Sequence, residues 1–438
     1  MKQNLIVILT LSILLAGCGQ EKKPNVVLLF VDDLGWADIG YRNEGFHTPN
    51  LDQLKDEGMD FTRMYISTPT CSPSRASLLT GKEPVRFQMV RHITGGPESE
   101  FNLWEKDPVQ MPSRNWLPLE EVTYAERLKE YGYYNMFIGK WHLGHEDYHP
   151  VRQGFDAQYG TGNHGNPKSY YYPFFASGNP LPEFSEEDYL TDVLTSEAER
   201  FIKEYDKEKP FMLSLWYYSV HGPHVGRKDF VEKYREEGLE GKELQYAAMV
   251  SAVDESVGKI RKTLKETGMA ENTIVLYLSD QGGYFSNAPL RGGKTGGYTL
   301  CEGGARVPFI VYYPGVTKAK STCDIPVQST DIYPTLVEIA SGEKCSDKGI
   351  NGKSLMPLFS GGTLGERNLY FFRSYEDQYS AVVSGDWKMI KYHSGVYELY
   401  NLNKDIGETR NLVDEEADQA RRLKEDLDKW EQEAVPSY

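Results

Sequence analysis

The chain reads as an α/β protein: a large, mostly parallel sheet flanked by helices, followed by a smaller antiparallel α+β subdomain at the C-terminus. Three observations predict this. Short, almost unbroken apolar runs alternate with stretches of helical periodicity, as expected of strands buried on both faces by the helices that connect them. The 438 residues exceed what a single small core uses. Beyond Ser360-Gly361-Gly362 the pattern changes to short strand-like runs separated by turn residues.

Taken in order, residues 1–17 are a signal peptide and no part of the fold. Lys2 is the charged start, Leu5 to Leu15 the apolar stretch, and Leu15-Ala16-Gly17-Cys18 resembles a bacterial lipoprotein processing site. Cleavage before Cys18 would leave it acylated, with residues 18–24 as a tether; an ordinary secretory signal with a chance cysteine is the alternative. The apolar stretch is too short to favour a spanning helix. Gly19 after the anchor cysteine, in place of Asp, favours the outer membrane. The expected location is the bacterial periplasm or cell surface, with the membrane reached only through the lipid.

Residues 25–360 are expected to form the large domain and 361–438 the smaller one. Asn25 to Val31 is apolar after its first residue, as a buried central strand should be. Helical patterns follow at Leu51 to Glu57, Tyr124 to Tyr131, Ser196 to Tyr205 and Glu243 to Leu264; in the last, Tyr246, Met249, Val250, Val253 and Val257 recur at helical spacing. Further strand-like runs are Met136 to Ile138, Phe211 to Val220 and Thr273 to Ser279. In the tail, Asn368 to Phe372, Ser380 to Ser384, Trp387 to Tyr392 and Val396 to Leu402 read as short strands, closed by a charged amphipathic helix around Glu415 to Glu433.

A net charge of −16 disfavours nucleic acid and anionic membrane surfaces as partners. An anionic substrate would need a local cationic cluster. The cysteines show no zinc-type spacing. In an oxidising compartment, Cys323 and Cys345 are the expected disulfide pair.

Four strand-like runs end in reactive residues: Val31 in Asp32-Asp33, Ile138 in Gly139-Lys140-Trp141-His142, Val220 in His221-Gly222-Pro223-His224, and Ser279 in Asp280-Gln281-Gly282-Gly283. Ligands of open α/β sheets bind beyond the carboxyl ends of the strands, so one shared rim is the economical reading. Asp32, Asp33, Asp280 and Gln281 offer only oxygen ligands, which suit Ca²⁺ or Mg²⁺ better than zinc or copper. A cation would also let two adjacent carboxylates stay ionised. Each group has an ordinary alternative: a helix cap or turn for the Asp pair, a surface lysine for Lys140, a satisfied loop histidine for His142.

Cys71-Ser72-Pro73-Ser74-Arg75, continued by Ala76-Ser77-Leu78-Leu79-Thr80-Gly81-Lys82, matches the signature of type I sulfatases. Over nearly its whole mature length the chain resembles these formylglycine-dependent enzymes of the alkaline phosphatase superfamily. The matching segments are Pro24 to Gly35, Thr48 to Asp52, Cys71 to Lys82, Gly139 to Gly144, His221 to His224, Asp280 to Gly283, Pro289 to Lys294 and Glu302 to Pro308. The resemblance implies an alkaline phosphatase-like fold and oxidation of Cys71 to Cα-formylglycine by a maturation enzyme. One hydroxyl of the hydrated aldehyde then attacks sulfur and the other expels sulfate.

By the same resemblance Asp32, Asp33, Asp280 and Gln281 hold Ca²⁺, or alternatively Mg²⁺, together with the modified Cys71. Arg75 steadies the formylglycine hydroxyl and the neighbouring charge, and Lys140 and Lys294 bind sulfate. His142 is the base that collapses the covalent intermediate, and His221 the acid that protonates the leaving alcohol, its pKa raised by nearby carboxylates. Cys71 is expected just before a helix beginning at Pro73, where the positive helix end assists. Gln281 stands where Asn is commonest in the family. Cys301 stands where an aromatic or small residue is usual, and reads as packing beside Glu302. The expected substrate is a sulfated glycan. The alternatives are an arylsulfatase of broad specificity, a phosphonate or phosphodiester hydrolase of the same superfamily, and an inactive glycan-binding lipoprotein. Arg91, His92, Trp104, His145, His164 and Tyr170 to Tyr172 could line a sugar pocket, though none is singled out.

Overall fold

The structure, a computed structural model, describes residues 22–94, 96–105 and 107–436. The signal peptide and Cys18 lie outside the described residues. Eight strands form the main sheet in the order Ser321–Cys323, Met59–Phe61, Phe309–Tyr312, Thr273–Ser279, Asn25–Val31, Phe211–Trp216, Tyr134–Gly139 and Ala157–Tyr159. Only Phe309–Tyr312 runs against the others.

The unbroken apolarity of Asn25–Val31 follows from its place between two cores. Val26, Leu28 and Phe30 face one cluster, with Trp216, Leu276 and Leu278. Val27, Leu29 and Val31 face the other, with Met249, Val253 and Leu213. Alternate side chains of a strand point to opposite faces, so both sets must be apolar. The helix Gly241–Glu266 lays its Tyr246, Met249, Val250, Val253 and Val257 stripe on the second cluster. Tyr124–Glu130 is capped by a reciprocal pair, Thr123 and Glu126.

Two boundaries differ from the sequence reading by more than two residues. The helix expected from Ser196 spans Leu190–Glu204, because Leu190, Val193 and Leu194 extend the buried stripe of Ala198 and Ile202. The strand expected to reach Val220 stops at Trp216. Tyr217 to Val220 remain buried but turn across the sheet edge: the Asp32 amide donates to the Ser219 carbonyl at 2.8 Å, and the Val220 amide to the Asp32 carbonyl at 2.6 Å. Burial keeps that stretch largely apolar although it no longer continues as a strand.

The C-terminal part carries an antiparallel sheet, Asn368–Phe372, Gln378–Ser384, Trp387–Tyr392 and Tyr397–Asn401 in sequential order. The helix Ala417–Ala434 packs Leu423, Leu427 and Trp430 against Val382, Met389 and Leu399. A buried ionic junction joins this unit to the rest: Lys388, with no exposure, forms ion pairs with Glu302 at 2.9 Å and Glu408 at 3.0 Å. Tyr65 donates to Glu302 at 2.9 Å, so the buried charge is also hydrogen-bonded.

The expected Cys323–Cys345 disulfide is absent; both thiols are free. Cys323 is on an edge strand, bonded through its backbone to Met59–Phe61 and Thr62, whereas Cys345 follows the helix Ile332–Ser341 and lies among Pro334, Asp347 and Ile350. Cys301 is buried packing, with Leu300, Ala305 and Phe371 around it.

Candidate active site

The strands Asn25–Val31, Tyr134–Gly139, Phe211–Trp216 and Thr273–Ser279 are mutually parallel, so their carboxyl ends share one edge. That edge receives Asp32 and Asp33, Lys140 and His142, His221, and Asp280 and Gln281. Asp33 and His142 sit in the left-handed region, at φ 63° and 53°. Such backbone costs about 1–3 kcal/mol and persists only where surroundings hold it. At Asp33 the holder is Tyr246, whose hydroxyl donates to the Asp33 carbonyl at 3.0 Å and to Asp38 at 2.5 Å. Burial pushes the Asp38 carboxyl up to about 6.

Cys71 enters from another direction, as the first residue of the helix Cys71–Thr80. The helix therefore starts two residues before the expected Pro73. The Ser74 amide closes the first turn on the Thr70 carbonyl at 2.9 Å, and Pro73, lacking an N–H, costs nothing in a first turn. The Cys71 sulfur lies 3.8 Å from Asp32 Oδ1 and 3.3 Å from Gln281 Nε2. Burial pushes its thiol up to about 12. Arg75, one turn on and fully buried, donates to the Lys140 carbonyl and to Asp280, both at 2.9 Å, beneath the rings of Phe30 and Trp216.

Lys294 is brought in by backbone packing that only glycine allows. A Cβ on Gly282 would sit 1.8 Å from the Gly303 carbonyl oxygen, and one on Gly303 would sit 2.3 Å from that of Gly292. The Lys294 amide then donates to the Gly283 carbonyl at 3.0 Å, and its ammonium forms a close ion pair with Asp33. Lys140 pairs closely with Asp32.

The charges balance: Asp32, Asp33 and Asp280 against Arg75, Lys140 and Lys294. Burial would raise Asp32, but Lys140 holds it below the ordinary carboxylate value. Burial and the neighbouring Asp32 push Asp280 up to about 6. Burial would lower Lys294, yet Asp33 keeps it raised. His142 is driven well below its usual value by burial and then by Lys140. For His221 the expectation was reversed: burial outweighs Asp33, 3.7 Å from Nε2, and the pKa is lowered.

Asp32, Cys71 and Asp280 offer ligand atoms within 4.8 Å of one another, as do Asp33, Cys71 and His221. Convergent buried carboxylates of this kind fit a hard divalent cation. The Gln281 amide nitrogen donates to Asp33 Oδ1 at 2.7 Å; a half-turn would offer its oxygen to the same point. A divalent ion held by these residues would leave the balanced set with excess positive charge for an anion.

Of the other candidates, Tyr170 and His92 border the site and the rest pack around it. Arg91 is buried against Asp107, and Tyr170 anchors the carbonyls of Tyr218 and His221. His145 packs on Trp116 and Tyr148, and His164 on Phe175. Tyr172 packs on Phe174, and Tyr171 on Tyr189. His92 meets Trp104 and Tyr375, with its pKa pushed down to about 4 by burial and then by Arg373 and Lys294. Residues missed in the sequence are Tyr246, Asp38 and Arg373; the last donates from the C-terminal unit to Pro69 O and Thr70 Oγ1, at 3.1 and 3.0 Å, just before Cys71. Cavities of about 720 and 600 Å³, both lined by Thr273, lie at the opposite ends of the strands.

Residues 24–342 match the sulfatase family and 298–433 the N-sulphoglucosamine sulphohydrolase C-terminal family. The chain is 33% identical to N-acetylgalactosamine-6-sulfatase of Mus musculus over 88% of its length and 75% of the relative's. It is 30% identical to a sulfatase of Formosa agariphila, covering 94% and 89%. The crystal structure of Ps i-CgsB in complex with k-i-k-neocarrahexaose superposes with a TM-score of 0.81 at 28% identity, covering 95% of each chain.

Proposed function

The chain belongs to the sulfatase family, with its alkaline phosphatase-like fold, and hydrolyses sulfuric esters; from that premise we propose that its substrates are sulfate esters on carbohydrates and its nucleophile a formylglycine made from Cys71. The observation that carries this reading is the meeting of Cys71, three carboxylates and three cationic side chains on one sheet edge. The neocarrahexaose bound by one solved relative and the amino-sugar sulfatase among the others support the carbohydrate. The Leu15-to-Cys18 string supports a lipid-anchored periplasmic or surface location.

Formylglycine would supply a hydrated aldehyde, whose two hydroxyls can attack sulfur and later release sulfate. A Ca²⁺ or Mg²⁺ ion held by Asp32, Asp33, Asp280 and Gln281 would supply fixed positive charge where negative charge develops. The chain's own groups do the rest. Lys140 and Lys294 bring two ammonium groups to the sulfate oxygens. Arg75 neutralises Asp280 and fixes the backbone that carries Lys140. His221 Nδ1 lies 2.7 Å from the Gly222 carbonyl, which makes Nδ1 the N–H and leaves Nε2 to carry the proton for the departing alcohol. His142, held neutral and with Nδ1 free of any partner among the described residues, is fit to accept a proton.

The test is sulfate release by purified enzyme from a panel of defined sulfated mono- and oligosaccharides, beside matched phosphate esters and aryl sulfates. Release from sugars is expected. Turnover of aryl sulfates alone, or a preference for phosphate esters, would replace this reading by one of the alternatives.

A further inference from the structure

Tyr284 follows directly on Asp280-Gln281-Gly282-Gly283 and is 37% exposed, beside a site whose carboxylates are buried and whose Lys294 and His221 are partly buried. The backbone on either side of Tyr284 is hydrogen-bonded to one side chain. Asn287, itself buried, accepts from the Gly283 amide at 3.1 Å and donates to the carbonyls of Gly283 and Phe285 at 3.2 and 3.1 Å. The ring is fixed from two sides: His224 meets it edge-on at 4.8 Å, and Phe285 lies at 5.9 Å. His224 is wedged in turn against Tyr246, the residue that holds Asp33. The Lys294 ammonium lies 5.3 Å from the centre of the Tyr284 ring. The tyrosine hydroxyl makes no hydrogen bond among the described residues.

A pre-positioned aromatic face with an unused polar tip, next to a cation aimed at an anion, matches one kind of ligand. That ligand has a ring with an apolar C–H face, hydroxyls at its edge and a sulfate close by. We infer that Tyr284 is the specificity-determining platform on which the pyranose ring of the sulfated sugar lies while Lys294 engages its sulfate. The inference rests on the carbohydrate reading above and assigns the wall that reads the sugar, not the sulfate. An exposed ring costs little to hold here, since its neighbours fix it whether or not sugar is bound.

The experiment compares wild type with Tyr284→Ala and Tyr284→Phe on a sulfated monosaccharide that wild type cleaves, and measures inhibition by inorganic sulfate for each. Tyr284→Ala is expected to raise KM for the sugar about tenfold, with kcat within about twofold and sulfate inhibition unchanged. Tyr284→Phe keeps the face and should recover most of the KM. An unmoved KM in Tyr284→Ala overturns the inference. So does a parallel weakening of sulfate inhibition, which would mean that the ring acts only through Lys294. Wild-type inactivity on every sulfated sugar would overturn both this inference and the reading beneath it, whereas wild-type activity with an unmoved KM overturns this one alone.

Discussion

Replacing His221 by alanine should damage sugar esters far more than activated aryl esters, and the reason lies in one carbonyl. Gly222 accepts from Nδ1 at 2.7 Å, which fixes the tautomer and assigns any second proton to Nε2, the atom near Asp33. A sugar alkoxide is a poor leaving group and needs that proton as the S–O bond breaks; a nitrophenolate does not. General acid catalysis is worth about 10²- to 10⁴-fold, or roughly 3–5 kcal/mol of barrier. We therefore expect His221→Ala to lower kcat/KM by that factor on a sugar sulfate and by less than about tenfold on an activated aryl sulfate. The pH dependence follows in sign. Burial, opposed by Asp33, lowers the His221 pKa, so the acid form is present below that pKa and is lost as pH rises through it. Wild-type kcat/KM on the sugar ester should fall by about tenfold per pH unit above it, a descent missing for the aryl ester and in the variant. Steady-state kinetics on the matched pair across pH checks all of this. Equal losses on both substrates would refute it. If His142→Ala instead gave the selective loss on sugar esters, the two histidine roles would be reversed.

Cys71→Ala should abolish turnover while leaving the melting temperature nearly intact, and mass spectrometry of the peptide containing residue 71 from active enzyme should show formylglycine; full activity in all-thiol protein would reject the nucleophile. Chelation should remove activity and Ca²⁺ or Mg²⁺ restore it, whereas Asp33→Asn should raise the metal concentration needed for half-maximal rate, since it removes one charge from the oxygen site. Normal rates in rigorously metal-free enzyme would sink that assignment. Lys388→Met leaves Glu408 buried without its cation and Glu302 with Arg306 alone, a change costing on the order of 3–5 kcal/mol. In a chain of this size that lowers Tm by roughly 3–6 °C, and an unchanged melting curve would show that the junction carries no such charge.

The parallel strands and the residues at their ends were legible in the sequence, because an apolar run that stops abruptly at charge marks both a buried strand and its exposed end. The supports of those residues were not. Tyr246 and Asp38 are 208 residues apart, and Arg373 reaches Thr70 from another sheet; no local pattern encodes such pairs. The overlong reading of Phe211 to Val220 arose because burial alone makes a segment apolar, whether or not it continues as a strand. The early start of Leu190–Glu204 was invisible because Tyr189 stands where a capping side chain would announce it and makes no cap bond. The sign error at His221 has a similar origin: adjacent carboxylates can be inferred from motifs, whereas the depth of burial that outweighs them is a property of the folded chain.

The depth at which Cys71 lies sets a timetable. Cys71 is 6% exposed, and Ser72, Ser74 and Arg75 have no exposure, so the string a maturation enzyme would have to read is sealed within the first turns of a buried helix. Any enzyme that oxidises this cysteine must therefore meet the chain while that segment is still extended, before the helix docks under the sheet edge. A molecule that folds first carries its thiol to a place that a small ester can approach but that an enzyme reading the extended segment cannot. Competition between modification and folding would then fix the active fraction of the population at synthesis, once for the lifetime of each molecule.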